Sequence, residues 1–477
     1  MTSATTQTAP TAPAASPPLD ATHWQERLSE LARRHGVPGA GFAVLRMGHD
    51  GAGDEAVEAT HGVLSTSTGV EVTTDTSFQI GSITKVWTTT VAMQLVDEGR
   101  LDLDAPVRDV LPELRVADEE VSAQVTMRHL LTHTSGIDGD VFTDPGRGDD
   151  CLEKYVATLG DVPQNHPLGA TFSYCNTGFI IAGRVIEKLT GQTWDAAMRE
   201  RIFVPLGLHH TSTLPEEAIL GRAAVGHIGE PDEEPHPTPR WLMPRSLGPA
   251  GLINSTAREV TTFARMHLAD GVAAHGTRVL SAESTTAMQQ MQTELPDRHT
   301  LGDGWGLGWI LFTWDGHRVF GHDGSTLGQN AFLRILPDAG LAVALLTNGG
   351  HTKDLFDELC AEVFAEVAGV DKPQSLKPAD PAPQVDLTKH VGVYERTSVR
   401  TEVFEKDGAL VLRATSTAPL IDDEGELSHE YTLHPVTDDL FVMRPPQTVG
   451  WTPVTFYRLD DGAPYLHYGV RANPKRS

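Results

Sequence analysis

Residues 78–95, FQIGSITKVWTTTVAMQL, decide how the rest of the chain is read. Ile80, Ile83, Val86, Trp87, Val91, Met93 and Leu95 recur at helical spacing and run almost together in the middle, which predicts a helix buried on most sides. Ser82 and Lys85 stand three residues apart, in the predicted first turn and on one face. At a helix start the unpaired backbone N–H groups and the dipole favour negative charge on the Ser82 hydroxyl. A Lys enclosed beside it loses solvation of its charged form, so its pKa falls and it can take the serine proton. The pair is a candidate nucleophile and base. On four residues alone a capping Ser and a snorkelling Lys are the commoner reading, so the surrounding chain must decide.

A chain of 477 residues exceeds one hydrophobic core, which predicts two or three domains. Its 39 % hydrophobic and 21 % charged residues are those of an ordinary globular protein. A formal charge of −27 would repel a nucleic-acid backbone or an anionic membrane surface, leaving a small-molecule or peptide substrate as the expected partner. Cys151, Cys175 and Cys360 have neither metal spacing nor the pattern of a disulfide framework, which suits a reducing compartment. No stretch approaches the length of a membrane span. Residues 1–20 open with MTSATTQTAPTAPAASPP, lack the basic start and apolar run of a secretion signal, and read as a disordered leader. A cytoplasmic location is the expectation, with no cofactor implied.

The expected architecture is α+β. A helix from Thr22 to His35 precedes strands Gly41–Arg46 and Ala56–Gly62 around a Gly- and Asp-rich turn. Beyond Gly99 the pattern is mainly helical, with candidates at Met127–Thr132, Leu152–Leu159, Thr177–Leu189, Ala196–Val204, Ala257–Leu268 and Ala282–Met291. Strands return at Gly308–Phe312, His317–Phe320, Asn330–Leu336 and Leu341–Leu346, before a helix at Asp354–Val367. Strands at both ends with helices between predict one sheet built from both termini and a helical lobe inserted into it. The expected domain then covers residues 21–371, followed by a Pro-rich linker, 372–384, and a small antiparallel barrel-like domain, 385–477, with seven short strands ending at Pro464–Gly469.

Acyl transfer needs a proton shuttle and oxyanion donors besides a nucleophile. Tyr174 and Asn176, in FSYCNTGF at a predicted helix start, supply a phenol whose pKa a nearby Lys would lower and an amide for Lys85 or a substrate. A satisfied buried Tyr and a capping Asn are the alternative. His322-Asp323-Gly324-Ser325 follows a predicted strand beside the cleft. Similar triplets at His49, His227 and His390 lack that setting. Gly324 would let a substrate backbone approach, and the Ser325 and Ser82 amides could form an oxyanion hole. His129 and His133 in RHLLTHTSG have the spacing of a metal pair without an acidic or Cys partner, so packing and capping are expected of them. Cys175 is a weaker alternative nucleophile. The loops 138–150 and 230–249 shape the pocket, and their charges are expected mainly to solvate the surface.

SITK, YCN and HDG in this order, with RHLLTHTSG and GPAGLINSTAREVTTFARMHL, resemble the serine β-lactamase-like superfamily from Trp24 to Val367. That superfamily includes class C β-lactamases, D-aminopeptidases, carboxylesterases and penicillin-binding proteins. The resemblance implies a β-lactamase/transpeptidase-like fold and a lipocalin-like tail. It also implies Ser82 as acylated nucleophile, Lys85 as base, Tyr174 as shuttle, Asn176 as substrate or Lys contact, and His322, Gly324 and Ser325 at the third motif. His322 stands where antibiotic-hydrolysing members carry Lys, which implies esterase, amidase or D-peptidase action rather than strong β-lactam hydrolysis. Transacylases and peptide-cyclising thioesterases of natural-product pathways share such folds, as do slow-turnover penicillin-binding sensors. The oligomeric state is not implied.

Overall fold

The computed structural model describes residues 18–48, 53–229, 234–416, 428–445 and 450–477. Residues 1–17 of the predicted leader, 49–52 of the predicted Gly- and Asp-rich turn and 230–233 of the second pocket loop lie outside the described residues. Asp20 caps the first helix, Ala21–Arg34, by accepting from Thr22 N at 2.9 Å and His23 N at 3.2 Å.

Strands from both ends of residues 39–347 assemble one antiparallel sheet, as the sequence predicts. Its order is Glu55–Gly62, Gly39–Arg46, Leu341–Thr347, Asn330–Leu336, His317–Ser325, Ile310–Trp314, Gly304–Trp305, Thr293–Glu294. Side chains alternate between the two faces. Phe42, Val44, Val343 and Leu345 join the core under helices Ala21–Arg34 and Thr352–Val363. Ala43, Ala344 and Leu346 join the core shared with the helical lobe and helix Ala257–Leu268. The predicted strand ending at Phe320 continues to Ser325, because Ser325 still pairs with Asn330. The third motif therefore lies inside a strand, not after it.

Helix Thr84–Asp97 runs through the larger core, and every residue from Thr84 to Leu95 is buried. Its threonines are reconciled with burial by hydrogen bonding: Thr89 and Thr90 donate back to the carbonyls of Lys85 and Val86, both at 2.9 Å, and Thr88 donates across the core to Pro249 O at 2.8 Å. Trp87 stacks on Phe263 with ring centres 4.1 Å apart. The helix begins later than its hydrophobic pattern predicts. Phe78 and Gln79 pair with Ser255 and Asn254, and Ile80 N donates to Ile253 O, so this backbone is committed to a strand. The predicted helix over 196–204 is also interrupted: a π turn, Arg199–Phe203, precedes Pro205. Proline has no N–H for the Arg201 carbonyl, which accepts instead from Gln94 Nε2 at 3.1 Å.

Eight consecutive antiparallel strands, Gly392–Arg396 through Arg471–Pro474, form the C-terminal barrel-like unit around Tyr394, Leu410, Leu412, Phe441 and Leu466. Val393 N donates to Ser477 O at 2.8 Å and Arg476 N to Val393 O at 2.7 Å, so the first strand meets the chain end. The last strand, Arg471–Pro474, is absent from the sequence reading. Its hairpin turns through Gly469 and Val470 at φ of +57° and +60°. Two left-handed residues suit a two-residue hairpin, yet Val is rarely found in that conformation and supplies no sequence signal for one.

Candidate active site

Ser82 lies in a 3₁₀ turn, Gly81–Ile83, immediately before the central helix and not in its first turn. Gly81 has φ of +53°, and a Cβ there would overlap the Ser325 amide. Lys85, on the helix, is fully buried and donates from Nζ to Ser82 Oγ at 3.0 Å and to Ala250 O at 2.6 Å. Burial, reinforced by the Arg471 guanidinium, holds the Lys85 amine well below its ordinary value. The depression expected from sequence is present. Asn176, which opens helix Asn176–Thr190, makes its side-chain hydrogen bond to Asp140 Oδ1, at 3.5 Å, and not to this amine.

On strand His317–Ser325, His322 and Asp323 face opposite ways. Asp323 is paired with buried Arg334 at 2.5 and 3.0 Å. His322 Nδ1 donates to the Asp323 carbonyl at 2.5 Å, which leaves Nε2 as a bare acceptor enclosed near Tyr174 and Trp305. Burial, with the Lys85 charge adding to it, lowers the imidazole pKa to about 3. The ring is neutral at working pH. The structure gives Gly324 a reason of its own to lack a side chain: a Cβ there would overlap the Ile80 carbonyl and stand 2.8 Å from Ser82 N. The close approach it permits is of the chain's own backbone, and it brings the Ser82 and Ser325 amides to one place.

Tyr174 lies across Lys85, whose Nζ is 4.8 Å from the ring centre. Its hydroxyl has no hydrogen-bond partner of good geometry, although Ser82 is close enough to act on it. Its pKa runs against expectation. Burial raises it above the ordinary value, outweighing the Ser82 hydroxyl and the Arg471 charge. Once Lys85 is neutral, the charge expected to lower the phenol is gone. Cys175 caps helix Asn176–Thr190 through Sγ, which accepts from Gly178 N at 3.2 Å, and burial pushes its thiol up to about 12. That is a structural thiol, not a nucleophile.

The C-terminal unit completes the wall. Val470 O accepts from Tyr174 N at 3.0 Å, and Ala472 N donates to Ser173 Oγ at 3.2 Å. Arg471 places its guanidinium 5.3 Å from the Tyr174 ring centre and grips Asp140 at 2.6 and 2.8 Å, while Arg396 reaches the same carboxylate at 2.6 Å. Asp138 accepts from Thr397 N at 3.0 Å. Both aspartates are buried, so these residues of the 138–150 loop dock the barrel rather than solvate a surface. Burial would raise the Asp140 pKa, but the two guanidiniums win and hold it below the usual carboxylate range.

The beta-lactamase family model matches residues 24–362. The chain belongs to the beta-lactamase family. It is 50 % identical over 382 residues to penicillin-binding protein 4 of Amycolatopsis lactamdurans, covering 80 % of this chain and 98 % of that one. The crystal structure of SurE superposes with a TM-score of 0.75 at 32 % identity, over 95 % of this chain and 98 % of SurE, a span that must include most of the C-terminal barrel. D-amino acid amidase from Ochrobactrum anthropi SV3, complexed with L-phenylalanine amide, superposes at 0.59 with 25 % identity, over 71 % of this chain and 97 % of the amidase. With esterase and amidase relatives around it, the protein is a beta-lactamase-family serine hydrolase. Among the described residues no helix is long and apolar enough to cross a membrane, and no cluster of three His, Cys, Asp or Glu side chains could hold a metal.

Proposed function

We propose that the protein transfers acyl groups through a Ser82 acyl-enzyme, with Lys85 as base and Tyr174 as proton relay. One observation carries this: a fully buried lysine, depressed toward its neutral form, sits 3.0 Å from a serine hydroxyl at the mouth of a buried helix. A neutral Lys85 still donates to Ala250 O and keeps a lone pair for the Ser82 proton. As Oγ bonds to the carbonyl carbon of an ester, thioester or amide, its proton passes to Lys85 and the carbonyl becomes an oxyanion facing the Ser82 and Ser325 amides. The phenol of Tyr174, kept protonated by its raised pKa, gives a proton to the departing group and is reprotonated from Lys85. The C–O, C–S or C–N bond breaks and the acyl-enzyme remains. In the second step the acceptor loses its proton along the same path and takes the acyl group. Asn176 and the neutral His322 wall the acyl pocket.

The acyl group we favour is a D-configured amino-acyl or peptidyl residue, and the acceptor an amine that competes with water. Supporting the first are the D-amino acid amidase and D-stereospecific amidohydrolase likenesses, and a SurE structure determined with D-Leu. Supporting the second is enclosure: Lys85, the Tyr174 hydroxyl and His322 Nε2 are all shut from solvent, which disfavours water as acceptor. The test is product partitioning. With D- and L-phenylalanyl p-nitrophenyl esters and graded phenylalanine amide, the proposal expects preference for the D-ester and rising amide product at the expense of free acid. Equal rates for both enantiomers, or acid yield unaffected by amine, contradict it.

A further inference from the structure

His133 belongs to RHLLTHTSG, whose two histidines the sequence reading assigns to packing and capping. His129 does cap, accepting from Thr126 N through Nδ1 at 3.2 Å in a reciprocal box. His133 is different. The helix ends at Leu131, and His133 sits beyond it at φ of +57°, fully buried. A non-glycine residue stays in this sparsely populated region only where its surroundings over-determine it.

The surroundings are the three residues centred on Tyr174. Ser173 N donates to the His133 carbonyl at 2.9 Å. Cys175 N donates to His133 Nδ1 at 2.9 Å. Between those bonds the imidazole stacks on the Tyr174 ring, centres 4.3 Å apart and 28° between planes. Phe172, Phe179 and Trp305 enclose the imidazole, with centroid distances of 5.5, 5.2 and 4.7 Å. We propose that His133 is a positioning residue that clamps the peptide on both sides of Tyr174 and the face of its ring, fixing the phenol against Ser82 and Lys85. Packing alone does not account for this. A Phe would fill the space but could not accept from Cys175 N. The acceptor requires the neutral Nδ1 lone pair, which burial preserves by holding the imidazole well below its ordinary pKa.

The proposal rests on Tyr174 being the proton relay, so its test is a double-mutant cycle. His133→Phe keeps an aromatic ring and loses the acceptor. His133→Asn places an amide oxygen where Nδ1 stands and tolerates positive φ. Each is compared alone and in a Tyr174→Phe background. Because a misplaced relay forfeits part of general acid–base catalysis, kcat should fall ~10- to 100-fold in His133→Phe with KM changed less than about threefold. His133→Asn should recover most of that loss, and both effects should vanish once Tyr174 is Phe. An undiminished loss in the Tyr174→Phe background, or an Asn variant no better than Phe, would overturn the proposal. If the wild-type protein never acylates Ser82, the relay reading itself fails. The clamp is then decided by the Tyr174 ¹³Cζ resonance: displaced in His133→Phe and restored in His133→Asn supports it, unmoved in both refutes it.

Discussion

The two ends of the site reach Tyr174 by opposite routes. Ser82 and Lys85 come from one turn and the helix that continues it, so three residues of sequence fix their 3.0 Å contact. Arg471 comes from the last hairpin of the chain and reaches Asp140 across 331 residues, with nothing local to mark either partner. In the proposed mechanism the local pair carries the chemistry. The distant pair sets the wall and the field in which that chemistry runs: Arg471 helps depress Lys85 and eases the upward pull of burial on Tyr174. The comparison teaches that a short local motif can set the Ser82–Lys85 contact while a second folding unit supplies the charge around it.

Three changes would break or sharpen that contrast. Ser82→Ala, at the local end, should reduce turnover on an activated ester by at least ~1000-fold, as loss of a nucleophile does. It should change the unfolding free energy by no more than about 1 kcal/mol, because the hydroxyl's hydrogen bond with Lys85 contributes little more. Turnover together with a urea melt reads both numbers.

Asp140→Leu, at the distant end, reverses the pattern. It leaves two largely enclosed guanidiniums, Arg471 and Arg396, without their carboxylate, and breaking a buried pair costs roughly 3–5 kcal/mol. A urea melt should show that loss. A change below about 1 kcal/mol would mean that the barrel docks without this charge cluster.

Lys85→Met joins the two ends, since it removes the proposed base but also an unfavourable burial. The sign follows from proton binding. Native Lys85 has a pKa below the unfolded value of 10.5, so between the two the unfolded chain binds the extra proton and stability rises with pH. At neutral pH the lysine therefore costs stability. Lys85→Met should lose turnover yet unfold at equal or higher urea, and its stability should rise less steeply toward pH 10. A less stable Met variant at pH 7 would mean that the amine is charged and well paired.

The same contrast explains what sequence could disclose. Alternation and helical spacing revealed the sheet, the buried helix and the inserted lobe, because each follows from a period of two or 3.6 residues. His322 was legible as a residue at the end of a strand beside the cleft, although that strand in fact runs on through Ser325. Long-range consequences were hidden. Gly324 read as room for substrate, and the need to make room for the Ile80 carbonyl and the Ser82 amide was not visible. The phenol of Tyr174 read as lowered by Lys85, whereas burial acts on both groups, removing the lysine charge and raising the tyrosine. Arg471 was invisible, because Val470 gives no turn signal and the ion pair with Asp140 spans two units.

The most direct measurement of the central claim is peptide-mapping mass spectrometry after millisecond quenching with a D-phenylalanyl p-nitrophenyl ester. The account predicts one acyl adduct, on Ser82, absent from Ser82→Ala and formed faster as pH rises through the depressed Lys85 value. An adduct on another residue, or turnover that persists in Ser82→Ala, would contradict it.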